Sequence, residues 1–170
     1  MLQRYKNIKY AVINDINGDL IGCYKVIKDN PDILIGQLRK LQKEYYSLND
    51  ESERKEYFLQ KRLLYNTADY NVVEKSALLI FLNRTCFNGL YRVNKLGNFN
   101  VPFGRYKYPL ICDAETIKAD SELLKNVELL SSDFEDMLEY TSRDTFVYLD
   151  PPYRPLNETS CFNDYSKEAF

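Results

Sequence analysis

The chemical grouping that stands out in the chain is an acid, two prolines and an aromatic in succession. These are Asp150, Pro151, Pro152 and Tyr153, which directly follow the apolar run Phe146, Val147, Tyr148 and Leu149. That run lacks polar alternation, which predicts a strand over residues 145–149 buried on both faces of a parallel sheet. Two prolines cannot continue a hydrogen-bonded ladder, so the strand must end at Asp150. In open α/β sheets, ligands occupy the crevice beyond the carboxyl ends of the strands, and an acid followed by a stiff turn and an aromatic has that address. Asp and Pro are also ordinary turn residues, and a capped turn that merely ends a strand is the competing reading.

The same design recurs twice. Tyr10, Ala11, Val12 and Ile13 form a short apolar run that ends at Asn14, Asp15, Ile16 and Asn17. Gly18 and Asp19 then lead into helical spacing at Leu20, Ile21, Tyr24 and Ile27. Strand, acid, helix is the cadence of dinucleotide folds, in which such a carboxylate binds the two hydroxyls of a ribose; an N-cap of the following helix is the alternative role for Asp15. The third run is Val127, Glu128, Leu129 and Leu130, ending at Ser131, Ser132, Asp133 and Phe134. Glu135 and Asp136 suit the first turn of a helix through Met137 and Leu138, where they complement its dipole.

Residues 83–106 read N-R-T-C-F-N-G-L-Y-R-V-N-K-L-G-N-F-N-V-P-F-G-R-Y, too long and too rich in special residues for a passive connector. Asn88-Gly89 is a turn signal and, where its flanking segments pair as strands, the tip of a hairpin; Gly97 and Gly104 supply further turns. Arg84, Arg92, Lys95 and Arg105 alternate here with Phe87, Leu90, Tyr91, Phe99, Pro102 and Phe103. Such a mixture suits nucleic acid: Arg and Lys meet phosphates or guanine edges, Asn reads adenine, and apolar wedges enter a disturbed base stack. A hairpin packed on its own aromatics, with its charges facing water, is the plainer possibility. Charge segregation sharpens the contrast. Between residues 75 and 112 there are six basic residues and no acid, whereas the chain as a whole has 23 basic against 25 acidic residues.

These groups need elements to position them. A length of 170 residues with 45% hydrophobic content suits one domain, or one domain with an insertion. Asn30 and Pro31 mark a helix start, followed by Leu34, Ile35, Leu38 and Leu41 at helical spacing. A second helix is expected through Tyr57, Phe58 and Leu64, and a third over residues 74–82. Asp113 is expected to cap a short helix through Ile117, and Ser121 a turn containing Leu123 and Leu124. Residues 31–107 then read as a mostly α-helical insertion into an α/β domain made of residues 1–30 and 108–170. Cys23, Cys86, Cys112 and Cys161 form no close pair, so neither a zinc pattern nor a disulfide framework is indicated and a reduced, cytoplasmic setting is expected. The chain has no histidine, which excludes a Ser-His-Asp triad and every His-based metal site. No apolar run approaches the ~20 residues that span a bilayer.

Taken together and in order, these three stretches resemble the Dam-type DNA adenine-N6 methyltransferases of the D12 class. D-P-P-Y at Asp150, Pro151, Pro152 and Tyr153 is similar to the family's catalytic tetrapeptide, N-D-I-N around Asp15 to its acidic cofactor motif, and residues 83–106 to its target-recognition hairpin. The resemblance implies a partial doubly wound, Rossmann-like sheet with an inserted helical DNA-recognition domain, and S-adenosylmethionine as methyl donor without metal. It implies that Asp15 holds the donor's ribose, that Asp133 and Phe134 flank its adenine, and that Asp150 lies near its methionine end. Asp150 and the Pro151 carbonyl would accept the two protons of an extruded adenine amine, with Tyr153 stacking on the base. Arg92 is the first candidate for guanine readout. Phe87, Asn88, Leu90 and Pro102 would contact or wedge bases, Arg84 and Asn94 belong to the same DNA-binding set, and Arg105 would meet phosphate or base. G-A-T-C is the implied target, in double-stranded DNA.

Two departures accompany the likeness. The family's glycine-rich F-x-G-G motif has no counterpart in the roughly ten residues before the Asp15 strand, and the chain ends soon after D-P-P-Y. An internal portion of such an enzyme is therefore expected, with weak or absent cofactor binding and doubtful transfer activity. The competing function is a non-catalytic DNA-binding module or pseudo-enzyme that uses the basic hairpin alone. Exposed sheet edges make a homodimer a further expectation.

Overall fold

The computed structural model describes residues 8–150. It is mixed α/β, mostly helical, with one small parallel sheet of two strands. Strand β1 (Ala11–Asn14) pairs with β2 (Val127–Leu130) in the register Ala11 to Val127 and Asn14 to Leu130. Parallel strands cannot be joined by a tight turn, and here the crossover carries five helices: α1 (Gly18–Asp29), α2 (Pro31–Tyr46), α3 (Glu51–Thr67), α4 (Val72–Thr85) and α5 (Ala114–Leu124). Both expected strands of the described region next to Asp15 and Asp133 are therefore present, and side by side.

Helix starts follow the polar residues at their boundaries. The Asn17 side chain accepts from the Asp19 and Leu20 amides, Asp50 from Glu53, Asn71 from Val73 and Glu74, and Asp113 from Thr116. Each satisfies backbone donors that the first helical turn leaves free, a gain of about 1 kcal/mol per cap. Pro31 occupies the first turn of α2, where a missing N–H loses nothing.

Helix α4 is the centre of the main core. Ser76, Ala77, Leu78, Leu79, Phe81, Leu82 and Thr85 are all buried, so its apolar run has no single solvent-free stripe but is covered nearly all round. Leu34, Leu38 and Tyr45 of α2 and Phe58 of α3 pack into the same core. Tyr45, Tyr57 and Phe81 meet edge to face, with ring centroids 5.6–6.3 Å apart. The core also takes in Cys23 and Val26 of α1 and Ile111, Cys112 and Ile117 beyond the loop. A smaller cluster of Ile21, Leu124, Val127 and Leu129 seats α1 and α5 on one face of the sheet.

The structure corrects four local expectations. Residues 145–149 form no strand and pair with neither β1 nor β2; Phe146 and Tyr148 are 72% and 74% exposed. An apolar run becomes a buried strand only where a neighbouring strand supplies its ladder and a layer covers its faces, and neither is present among the described residues. Ser121 starts no turn: it lies inside α5, buried, with its hydroxyl donating to the Lys28 carbonyl at 3.1 Å, so the two short elements expected there are one helix. The helix expected after Asp133 is a 3₁₀ helix over Phe134–Tyr140. Asn88-Gly89 is not a hairpin tip but part of a 3₁₀ turn with φ of 53° and 61°. Among the described residues no helix is long and apolar enough to cross a membrane.

Candidate DNA interface and strand-end carboxylates

The carboxyl ends of β1 and β2 form one edge. The Asp15 amide donates to the Leu130 carbonyl at 3.3 Å, extending the ladder by one step. The Asn14 side chain then staples the two strand ends: its Oδ1 accepts from the Ser132 amide at 3.0 Å, and its Nδ2 donates to the Ser132 carbonyl at 3.0 Å. Nothing in the sequence pattern singled out Asn14, because its partners lie in the other strand's loop. A Cβ added at Gly18 would stand 3.6 Å from Ser131 Oγ, so the start of α1 lies directly against the end of β2.

The role of capping α1 does not fall to Asp15. The cap of α1 is Asn17, and Asp15 Oδ1 accepts only from the Asn17 amide, at 2.7 Å. Among the described residues its Oδ2 has no hydrogen-bond partner, which leaves a half-buried carboxylate oxygen as an acceptor. Asp133 is differently employed. Its Oδ1 accepts from the Glu135 amide at 2.9 Å and caps the following 3₁₀ helix, while Phe134 beside it is 62% exposed. Asp150 is exposed, and Pro151, Pro152 and Tyr153 lie outside the described residues.

Residues 83–106 fold back on themselves in antiparallel fashion without regular strands. Isolated bridges join Cys86 to Phe103 and Val93 to Phe99. The reversal lies at residues 94–98, where the Asn94 amide donates to Asn98 O at 2.9 Å and Asn94 Oδ1 accepts from the Leu96 and Asn98 amides, both at 3.0 Å. Gly97, at φ 78°, supplies the left-handed residue this turn requires. The expected DNA contact Asn94 thus has its side-chain oxygen occupied in shaping the turn, and only its Nδ2 remains for a ligand. At the base of the loop, a Cβ on Gly104 would stand 2.4 Å from the Cys86 carbonyl oxygen, so only glycine fits this crossing. The next residue, Arg105, has φ 61°, a strained value for a long side chain, and its exposed guanidinium is 3.6 Å from Glu51.

The loop has two faces. Val93, Phe99 and Val101 are buried, Phe103 packs on Phe58, and Tyr91 packs on Phe99. Phe87, Leu90, Leu96 and Pro102 are exposed, together with Arg84, Asn88, Arg92, Lys95, Arg105 and Lys107. Helix α3 holds the inner face in register. Asn66 donates from Nδ2 to Phe99 O at 3.1 Å and accepts from the Phe99 amide at 2.9 Å, and Arg62 donates to Val101 O at 3.1 Å. Neither Asn66 nor Arg62 carries a motif, so sequence reasoning had no signal for them. Arg92 is pre-oriented by Asn100, accepting its Nε–H at Oδ1 (2.7 Å) and an Nη2–H at the carbonyl (3.3 Å). Asn100 thus takes the Nε/Nη2 edge, and the Nη1/Nη2 edge, the other edge with which a guanidinium can pair bidentately, makes no such bond.

Residues 1–170 match the model of the D12 class N6 adenine-specific DNA methyltransferases. The chain belongs to this family. It is similar to the Type II methyltransferase M.MjaIII of Methanocaldococcus jannaschii, with 51% identity over all of this chain and 59% of that protein. It is 44% identical, over 94% of this chain and 55% of the relative, to the Type II methyltransferase M1.LlaDCHI of Lactococcus lactis subsp. cremoris. A DNA adenine methylase of Serratia marcescens is 33% identical over 94% of this chain and 56% of its own length. The chain thus spans a little over half the length of these relatives.

Proposed function

We propose that the protein is a DNA adenine-N6 methyltransferase that uses S-adenosylmethionine, and that this chain comprises its target-recognition part and a portion of its catalytic part. The observation that carries the reading is the two-faced loop: a buried apolar face pinned to α3, and an outer face where Arg84, Arg92 and Arg105 alternate with Phe87, Leu90 and Pro102. Residues 31–107 serve as the recognition insertion between 1–30 and 108–170, a division supported by the way β1 and β2 close on each other across it.

The donor set at the strand ends fits the cofactor. Asp15 offers a free carboxylate oxygen to ribose hydroxyls, and Phe134 offers an exposed ring to an adenine face. When bound, S-adenosylmethionine supplies a methyl group activated by its sulfonium charge. The chain's task is to make a weak nucleophile competent. The amine lone pair of adenine is delocalised into the ring, and hydrogen bonds from its two N–H groups to the Asp150 carboxylate and the Pro151 carbonyl favour the pyramidal nitrogen of the transition state. Tyr153 stacks on the extruded base. On the DNA side, Arg92 reads guanine with its free edge, Phe87, Asn88, Leu90 and Pro102 support the disturbed stack, and Arg84, Asn94 and Arg105 hold the backbone. G-A-T-C is the target we assign, and the outer edges of β1 and β2 are the surface for a homodimer.

A radiolabelled methyl-transfer assay on duplexes with and without G-A-T-C tests this, using the chain and a version extended at both ends. Transfer that depends on G-A-T-C and vanishes in Asp150→Ala supports it; no transfer by the extended protein to any duplex refutes it. A second reading, a DNA-binding module without transfer that uses the basic loop alone, predicts salt-sensitive duplex binding unchanged by Asp150→Ala.

A further inference from the structure

Tyr65 joins the turn around Asp15 to the loop of residues 83–106. It is buried on α3, and its hydroxyl donates to Asp19 Oδ2 at 2.8 Å. Asp19 lies in the first turn of α1, with its amide bonded to Asn17 Oδ1 at 3.1 Å, and the Asn17 amide is in turn held by Asp15 at 2.7 Å. Lys75 of α4 completes the centre: its Nζ is 2.7 Å from Asp19 Oδ1 and 5.6 Å from the Tyr65 ring centroid. On its other side the Tyr65 ring meets Phe99 edge to face at 6.2 Å, and Phe99 meets Tyr91 at 6.0 Å. The neighbouring Asn66 grips the Phe99 backbone, one residue before the Asn100 that orients Arg92. Phenylalanine would fill the same apolar space at position 65. The hydroxyl adds the bond to Asp19 and a hydrogen-bonding neighbour in Tyr91 of the loop, and burial, reinforced by Asp19 and Tyr91, pushes it far above the ordinary tyrosine range so that it remains a donor at every working pH.

We propose that Tyr65 and Asp19 are positioning residues that couple the Asp15 turn to the recognition loop, so that ligand at the turn and duplex at the loop strengthen each other's binding. The inference rests on the function proposed above. The physical route is a shared rigid unit: ordering of either end of the series Asp15, Asn17, Asp19, Tyr65, Phe99 leaves less motion for the second ligand to freeze.

The test measures anisotropy of a labelled G-A-T-C duplex with the full-length protein, without ligand and with saturating S-adenosylhomocysteine. We expect the wild type to bind DNA about tenfold more tightly with ligand, within the usual range of coupling between sites. Tyr65→Phe should bring that ratio close to one while ligand-free DNA affinity stays within about threefold, and Asp19→Ala should do the same. The double variant should lose nothing further, since both substitutions cut one link. A purely structural role would lower the melting temperature and leave the ratio intact. A wild-type ratio retained in folded Tyr65→Phe, or a ratio of one in the wild type, overturns the coupling alone. A wild type that binds neither duplex nor ligand refutes the proposed function and the coupling with it.

Discussion

Substitution of Asn66 by Ala should release the loop of residues 83–106 from its support without touching the outer face. The amide side chain makes two hydrogen bonds to the Phe99 backbone, one in each direction, and Phe99 is 1% exposed. Removal leaves a buried N–H and a buried C=O without partners, and each such loss costs about 1–2 kcal/mol. The sum, about 2–4 kcal/mol, acts on docking of the loop and corresponds to roughly 30- to 700-fold in its opening equilibrium. Amide hydrogen exchange reads this directly: the Phe99 amide should lose protection by that factor, while the α4 core amides around Phe81 change far less. Asn66→Asp keeps an acceptor for the Phe99 amide and loses only the donor, so its effect should fall near half, in free energy, of that of Ala. Unchanged Phe99 protection in Asn66→Ala would refute the claim that α3 holds the loop, and equal effects of Ala and Asp would refute the two-bond account.

Three further outcomes follow from the geometry. Gly104→Ala places a methyl 2.4 Å from Cys86 O and breaks the close crossing at the loop base, where the Gly104 amide donates to Thr85 O at 2.9 Å; thermal melts should show a loss of about 2 kcal/mol or more, with duplex affinity falling in parallel. Asn14→Ala removes the staple between the strand ends, and calorimetry with S-adenosylhomocysteine should show weaker binding by about tenfold, with duplex affinity in the absence of ligand little changed. Burial pushes the Cys23 and Cys86 thiols up to about 11 from an ordinary 9.0, so the unfolded chain releases these protons first. Their contribution is complete below pH 9 and declines as pH rises toward 11, on the order of 1 kcal/mol per pH unit per thiol, and denaturant melts at pH 8 and 10 should show a shallower decline in Cys86→Ala than in the wild type.

Much of the framework was legible because local rules and packing agree. Asn30 followed by Pro31, the helical spacing from Leu34 to Leu41, and the runs ending at Asp15 and Asp133 each carry their own signal, and all appear in the fold. The basic and aromatic character of residues 83–106 was equally open, as was a turn at Gly97, but which of its turns makes the reversal was not. Asn88-Gly89 has the composition of a hairpin tip, but the reversal at residues 94–98 is shaped by Asn94 and fixed by the contact of Phe99 with α3. Turn propensity worth a few tenths of a kcal/mol yields to burial of an aromatic worth several times more. The run at residues 145–149 failed for a related reason: its composition suits a buried strand, but burial belongs to the neighbours and not to the run.

The sequence by itself determined what groups are available: a histidine-free chain with strand-end acids, a D-P-P-Y tetrapeptide, and a basic segment without a single acid. These follow from residue type and local spacing, which need no knowledge of the fold. Only the tertiary structure decided how those groups are employed. It gave the α1 cap to Asn17 and left an oxygen of Asp15 open, engaged Asp133 as a cap, turned Phe99 inward and Phe87 outward, and placed Tyr65 between Asp19 and the loop. Each of those outcomes depends on a partner far away in the chain, and long-range partners are set by packing and hydrogen-bond satisfaction across the whole molecule.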